Sequence, residues 1–178
     1  MDNTPSKIGI VVYSRSGHSR RLAKKLADTL DATIIELNAP GYKGAFGYMQ
    51  AGYESLRQTC TLAPQSVTSL SDYDRIILCG PVWTSYPAAP LRGLLRSDIT
   101  LPESVSLFLT SGGNSPAIKA FNAAEADMGH ALVAKASLGN SEEGTLQEDR
   151  IMKAFLEELN AAGDWNHSDP SAVRLHTL

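Results

Sequence analysis

Residues 7–13 read KIGIVVY, an unbroken apolar and β-branched run. A strand with one wet face alternates apolar and polar residues, so an unbroken run marks a strand covered on both faces, as in a parallel sheet. The spacing then changes. Leu22, Ala23, Leu26, Ala27 and Leu30 recur at the interval of a helix, starting near Ser19, with one buried stripe. Further short apolar runs lie at 33–37 (TIIEL), 75–79 (RIILC) and 104–110 (SVSLFLT), with a weaker one at 131–136. Helical patterns stand between them: residues 88–95, then Ile118, Phe121 and Met128, then Ile151, Phe155 and Leu159 in a charged helix starting near Thr145. This alternation predicts an α/β fold, a doubly wound sheet of five parallel strands in the order 2-1-3-4-5 with helices on both faces.

A chain of 178 residues closes one sizeable core, so one domain over 1–178 is expected, with its core at about 7–162. The stretch from 163 (GDWNHSDPSAVRLHTL) has no periodicity and reads as a polar tail. Residues 39–64 also break the rhythm. They are rich in Gly and Tyr before a helical stretch around 48–57, which reads as an amphipathic crossover, while 41–47 stays open between a lead-in and a ligand-side loop.

A net charge of −3 gives no broad basic field for nucleic acid. The polar start and the short first apolar run suggest neither a leader nor a membrane span, so a cytoplasmic setting is expected. Cys60 and Cys79 are then expected as free thiols.

The loop after the first strand carries Ser14, Arg15, Ser16, Gly17, His18 and Ser19. In an open α/β sheet that loop meets the N-terminus of the next helix, whose unpaired N–H groups and positive dipole end attract a phosphate. Serine hydroxyls add donors, and glycine lets backbone approach closely or take an unusual φ. Ser and Gly also make ordinary turns and caps, but three serines and a glycine within six residues here favour phosphate binding. Rival motifs fail at these positions. A nucleophile elbow needs glycine where Arg21 stands, and neither Gly-x-Gly-x-x-Gly nor a Gly-Lys-Ser/Thr P-loop follows the first strand. A thiol-phosphatase loop needs an arginine six positions after its cysteine, where Ser66 and Ser85 stand.

After the third strand come Gly80, Pro81, Val82, Trp83, Thr84, Ser85, Tyr86 and Pro87, and after the fourth Thr110, Ser111, Gly112, Gly113 and Asn114. An aromatic loop and a Gly-rich loop beside a phosphate site suit a flat, phosphorylated ring system, although Trp83 and Tyr86 could equally cap the core.

Across about 7–160 the sequence resembles the flavodoxin family. The likeness rests on Tyr13 to Ser19 (YSRSGHS), Gly80 to Trp83 (GPVW) and Thr110 to Gly113 (TSGG). The resemblance implies FMN as cofactor: Ser14, Ser16, Gly17, His18 and Ser19 around its phosphate; Pro81, Val82, Trp83, Thr84, Ser85 and Tyr86 along the isoalloxazine; and Ser111, Gly112, Gly113 and Asn114 near its pyrimidine side. Arg15 stays open between a charge that neutralises the phosphate and a solvated arginine of a surface loop. It implies redox chemistry on the flavin, with no catalytic side chain and no metal. The family often has Asn or Thr where His18 stands, and an imidazole there crowds the phosphate or adds a pH-dependent donor.

Three functions are weighed. The first is an FMN-dependent oxidoreductase, with NAD(P)H as donor and a quinone or similar acceptor. The second is an electron carrier between protein partners, and the third is a flavin-free binding module. In proteins resembling flavodoxin a one-electron shuttle commonly needs a backbone carbonyl that swings in the loop after the third strand, easiest beside glycine. This loop has none between Val82 and Tyr86, and the β-branched Thr84 is expected to resist a positive φ, which favours two-electron chemistry. The weak net charge likewise gives little of a carrier's acidic docking face.

Overall fold

The computed structural model describes residues 6–40, 60, 62–65, 69–113 and 117–162. The lead-in at 41–47, the helical stretch at 48–57, Asn114 and the tail from 163 lie outside the described residues. In chain order the elements are β1 (Ile8–Val12), α1 (His18–Leu30), β2 (Thr33–Glu36), β3 (Arg75–Trp83), β4 (Tyr86–Pro87), α2 (Ala89–Leu95), β5 (Ser104–Ser111), α3 (Ile118–Met128), β6 (Lys135–Gly139) and α4 (Leu146–Ala161). A 3-10 turn, Asn140–Glu142, joins β6 to α4.

The main sheet is parallel throughout, in the order β2-β1-β3-β5-β6. Counting only these long strands, this is the expected 2-1-3-4-5 order of the flavodoxin-like fold. The unbroken apolar runs have their explanation in two cores, one on each face. Val11, Ile76, Leu78, Val105, Leu107 and Leu109 join one cluster with Leu91 and Leu94 of α2 and Ala120 and Ala124 of α3. Ile10, Val12, Ile77, Cys79 and Phe108 join the other with Leu22 and Leu26 of α1 and Met152, Phe155 and Leu159 of α4. Successive residues of one strand thus feed opposite cores. Gly80 belongs to this packing: a Cβ there would run into Leu91, so its absence lets α2 lie close against β3.

Four local expectations are corrected. The last strand begins at Lys135, not at 131. Residues before it are tied to β5 only by Val133 N–H to the Val105 carbonyl (2.9 Å) and Leu107 N–H to the Ala134 carbonyl (3.0 Å), and the ladder starts at Leu107 opposite Lys135. The third strand does not stop at Cys79. Its pairing with β5 continues to Pro81 opposite Thr110, so Gly80 to Trp83, expected as loop, is strand. Beyond it Trp83 pairs with Tyr86 and Val82 with Pro87, an antiparallel hairpin that adds a sixth strand. In α3 the fully covered residues are Ala120 and Ala124, whereas Ile118, expected on the buried stripe, is 68% exposed. Its small residues let the helix lie close to the sheet, which removes the large apolar stripe that the periodicity suggested.

Phe155 is 1% exposed and its ring lies 4.9 Å from that of Phe108, centroid to centroid. Phe155→Ala is expected to cost about 3–5 kcal/mol, because α4 and β5 cannot collapse into the space vacated. Chemical denaturation at equilibrium measures it; a loss under about 1 kcal/mol contradicts the packing described.

Candidate functional site

In a parallel sheet every strand ends at the same edge, so the segments after β1, β3, β5 and β6 converge. Register brings Val12 level with Cys79, Pro81 with Thr110, and Ser111 with Gly139. The first loop is pinned into this edge by a buried hydroxyl pair, Ser19 Oγ and Thr110 Oγ1, at 2.7 Å. Ser19 is 2% exposed, so its side chain is committed to β5.

Gly17 precedes α1 with φ +100, a left-handed conformation that disfavours any residue with a side chain. Nothing lies within 4 Å of where its Cβ would stand, so glycine is required by the backbone and not by crowding. Among the described residues no side chain caps the first turn of α1, and that turn holds no acidic residue. Helix geometry leaves its leading N–H groups without intrahelical acceptors, and a left-handed residue in such a turn helps successive N–H groups converge on an anion. Ser14 Oγ accepts from Gly17 N–H at 3.1 Å, bracing the loop from inside. Arg15 and Ser16 are exposed at its tip.

His18 opens the helix, and its Nδ1 lies 2.8 Å from Glu143 Oε1. Glu143 follows the 3-10 turn after β6, and its other oxygen is 3.3 Å from Arg21 Nε. Arg21 also places both terminal nitrogens on the Glu148 carboxylate, at 3.1 and 3.0 Å. Lys25 reaches Glu148 at 3.2 Å and Asp149 at 2.9 Å, and Gly144 N–H donates to Glu148 as well. The Glu148 side chain has no exposed surface. Burial pushes its carboxyl up, but the Arg21 guanidinium, the Gly144 N–H and the Lys25 ammonium together hold it below the usual carboxylate range. None of these acids was found from the sequence: Glu143 stands far along the chain from His18, and no local spacing marks such a pair.

The hairpin brings Pro81, Val82 and Trp83 in as strand, with Thr84 and Ser85 as its two central residues. Thr84 has φ +48 and Ser85 φ +69. The expectation that Thr84 resists a positive φ is therefore overturned: a two-residue hairpin that follows the sheet's twist needs positive φ at both central positions, and strand pairing on both sides imposes it. The argument from Thr84 to two-electron chemistry falls with it. Trp83 packs edge-on to Tyr13, with centroids 5.5 Å apart and planes at 89°, joining the hairpin to the end of β1. Over the Tyr86 ring lie Arg92, at 5.1 Å, and Lys119, at 4.5 Å. Arg92 in turn pairs with buried Asp127 at 2.6 Å.

In the third loop Ser111 Oγ donates to the Gly113 carbonyl at 2.8 Å. A Cβ on Gly112 would stand 3.9 Å from Asn140 Nδ2. Asn140 Oδ1 is buried and has no hydrogen-bond partner among the described residues, an acceptor left open beside this loop. The structure thus gathers the described members of the expected set at one edge, from Ser14 to Ser19, from Pro81 to Tyr86 and from Ser111 to Gly113. To these it adds Glu143 and Asn140.

No protein-family model matches the chain, and no curated protein matches its sequence. Solved structures do match in fold. A protein of Bacteroides uniformis assigned as a flavoprotein superposes with a TM-score of 0.62 at 19% identity, over 85% of this chain and 99% of that one. One from Bacteroides eggerthii, assigned likewise, gives 0.63 at 16% identity, over 86% and 98%. A Lactobacillus acidophilus flavoprotein in complex with FMN gives 0.55 at 21% identity, over 83% and 99%. The fold is that of the flavodoxin-like proteins. Among the described residues no helix is long and apolar enough to cross a membrane.

The depressed Glu148 carboxyl makes a prediction with a definite sign. A group whose folded pKa is lowered adds stability above its unfolded value and loses it as pH falls through the folded one. Glu148→Gln is expected to cost about 1–3 kcal/mol at neutral pH. The gap to the parent should close below the ordinary carboxylate range, near pH 4. Urea unfolding across pH checks this, and a gap that persists unchanged in acid contradicts it.

Proposed function

We propose that the chain binds FMN by its phosphate at the mouth of α1 and works as a flavin-dependent oxidoreductase. The observation that carries this reading is the left-handed Gly17 in front of an uncapped helix with no acid in its first turn. That arrangement offers main-chain donors and a positive dipole end to an anion, with no side-chain cap on them among the described residues. The FMN complex of a protein with the same fold supports the choice of cofactor.

The residues fit such a ligand in distinct ways. The amides of the first turn and the Ser16 hydroxyl hold the phosphate, with Arg15 as a nearby charge. Ser14 and Ser19 act one step back, since Ser14 braces Gly17 and Ser19 anchors the helix to Thr110. The hairpin from Pro81 to Tyr86 offers an aromatic wall in Trp83, while Tyr86 is engaged by Arg92 and Lys119. Ser111 to Gly113, with Asn114, supply a small, polar edge for the ring. FMN supplies the electron transfer when bound. The chain binds it, orients its ring and shields one side from water. With a net charge of only −3 to steer a redox partner, we place an enzyme using NAD(P)H and a quinone or similar acceptor ahead of a carrier between redox proteins.

The visible spectrum of the purified protein, before and after adding FMN, reads the cofactor directly. Because the loop addresses the phosphate, FMN is expected to bind about tenfold or more tighter than riboflavin, the equivalent of one or two charge-assisted hydrogen bonds. Equal affinities in a fluorescence-quenching titration overturn the assignment. Turnover with NAD(P)H and a quinone identifies the enzyme, and reduction only by a partner reductase identifies the carrier.

A further inference from the structure

His18 is the first residue of α1, the helix end where the proposed phosphate arrives, and its imidazole has a carboxylate partner. A carboxylate only accepts, so Nδ1 carries the proton in the 2.8 Å contact with Glu143, and the tautomer and ring orientation are fixed by that bond. Among the described residues Nε2 makes no hydrogen bond. In a neutral imidazole held this way Nε2 is a bare acceptor, which repels a phosphate oxygen. In the protonated ring it is a donor.

Charged groups from three elements surround the ring. From the turn after β6 comes Glu143, and from α4 come Glu148 and Asp149; facing them from α1 are Arg21 and Lys25. Three carboxylates thus meet two permanent cations around this imidazole. Arg20 on the same helix turns away to Glu36 at 2.6 Å, and Arg15 is in the preceding loop. A phosphate dianion at this helix would add its charge beside Glu143, whose carboxylate shares the Arg21 guanidinium with Glu148.

Resting on the FMN reading above, we infer that Glu143 is a positioning residue that makes phosphate binding proton-linked. His18 takes a proton from solvent as the phosphomonoester dianion binds and donates from Nε2 to it, while Glu143 holds the ring by Nδ1. The site therefore selects the doubly charged phosphomonoester and releases it more readily as pH rises.

The test titrates FMN, with riboflavin as the phosphate-free control, between about pH 6.5 and 8.5, where a phosphomonoester is mainly dianionic and imidazoles change charge. FMN affinity should fall with pH, by up to about tenfold per unit at its steepest, while riboflavin affinity stays flat. Calorimetry in buffers of different ionisation enthalpy should show proton uptake with FMN alone. His18→Asn, a neutral donor, should give a flat profile. Glu143→Gln removes a negative charge beside the phosphate and the anion that holds the imidazolium, so it should also flatten the profile, with affinity at the alkaline end no lower than the parent's. A purely structural Glu143 would instead weaken binding equally at every pH and keep the parent's slope, which overturns the inference. A flat parent profile with firm FMN binding overturns it alone. Absence of FMN binding at any pH overturns the cofactor assignment and this inference together.

Discussion

The contact between Ser19 Oγ and Thr110 Oγ1 is a single buried hydrogen bond, yet it fixes how the first helix meets the far half of the sheet. Apolar packing holds α1 against β1 and β3 but is indifferent to small slides along the groove. A buried hydroxyl pair at 2.7 Å is not indifferent, because a slip leaves two buried polar groups unpaired. Once that bond is made, the N-terminus of α1 stands over the end of β5. The first and third loops then face one another, and His18 is within reach of the turn after β6.

From that anchor the site assembles by contacts that run across the sheet edge. Tyr13 and Trp83 lock the end of β1 to the hairpin. Glu143 and Glu148 lock α1 to the start of α4. The exposed tip, Arg15 and Ser16, is thereby carried on a base with little freedom of its own. Such a division suits ligand binding, since donors held in place before the ligand arrives lose less entropy when it binds.

The chain announces its fold through β1 and α1, where burial on both faces of the sheet and on one stripe of the helix writes two unmistakable periods. It is less explicit wherever burial is partial or small residues do the packing. The edge strand β6 mixes exposed and buried positions, so the apolar residues just before it drew the expected boundary forward. In α3 close contact is made by Ala120 and Ala124, and the larger Ile118 is left outside. The hairpin at Thr84 and Ser85 lacks the Gly or Asn that usually announces positive φ, because strand pairing imposes what composition did not suggest. At the site, the serines and glycine of the first loop were visible as a group, but their roles were not. Ser19 faces Thr110 and Ser14 faces Gly17, assignments that depend on residues brought near by folding. The acids around His18 belong to the same class: long-range partners leave no local spacing to read.

The central claim is that a phosphate sits on the first turn of α1. A crystal structure of the protein with FMN tests it most directly. The account predicts phosphate oxygens within hydrogen-bonding distance, about 2.7–3.2 Å, of main-chain amides from His18 onward. Gly17 should keep its positive φ, and the ring should lie between the hairpin and the third loop. A phosphate bound elsewhere on the molecule, with the first-turn amides of α1 facing only water, would contradict it.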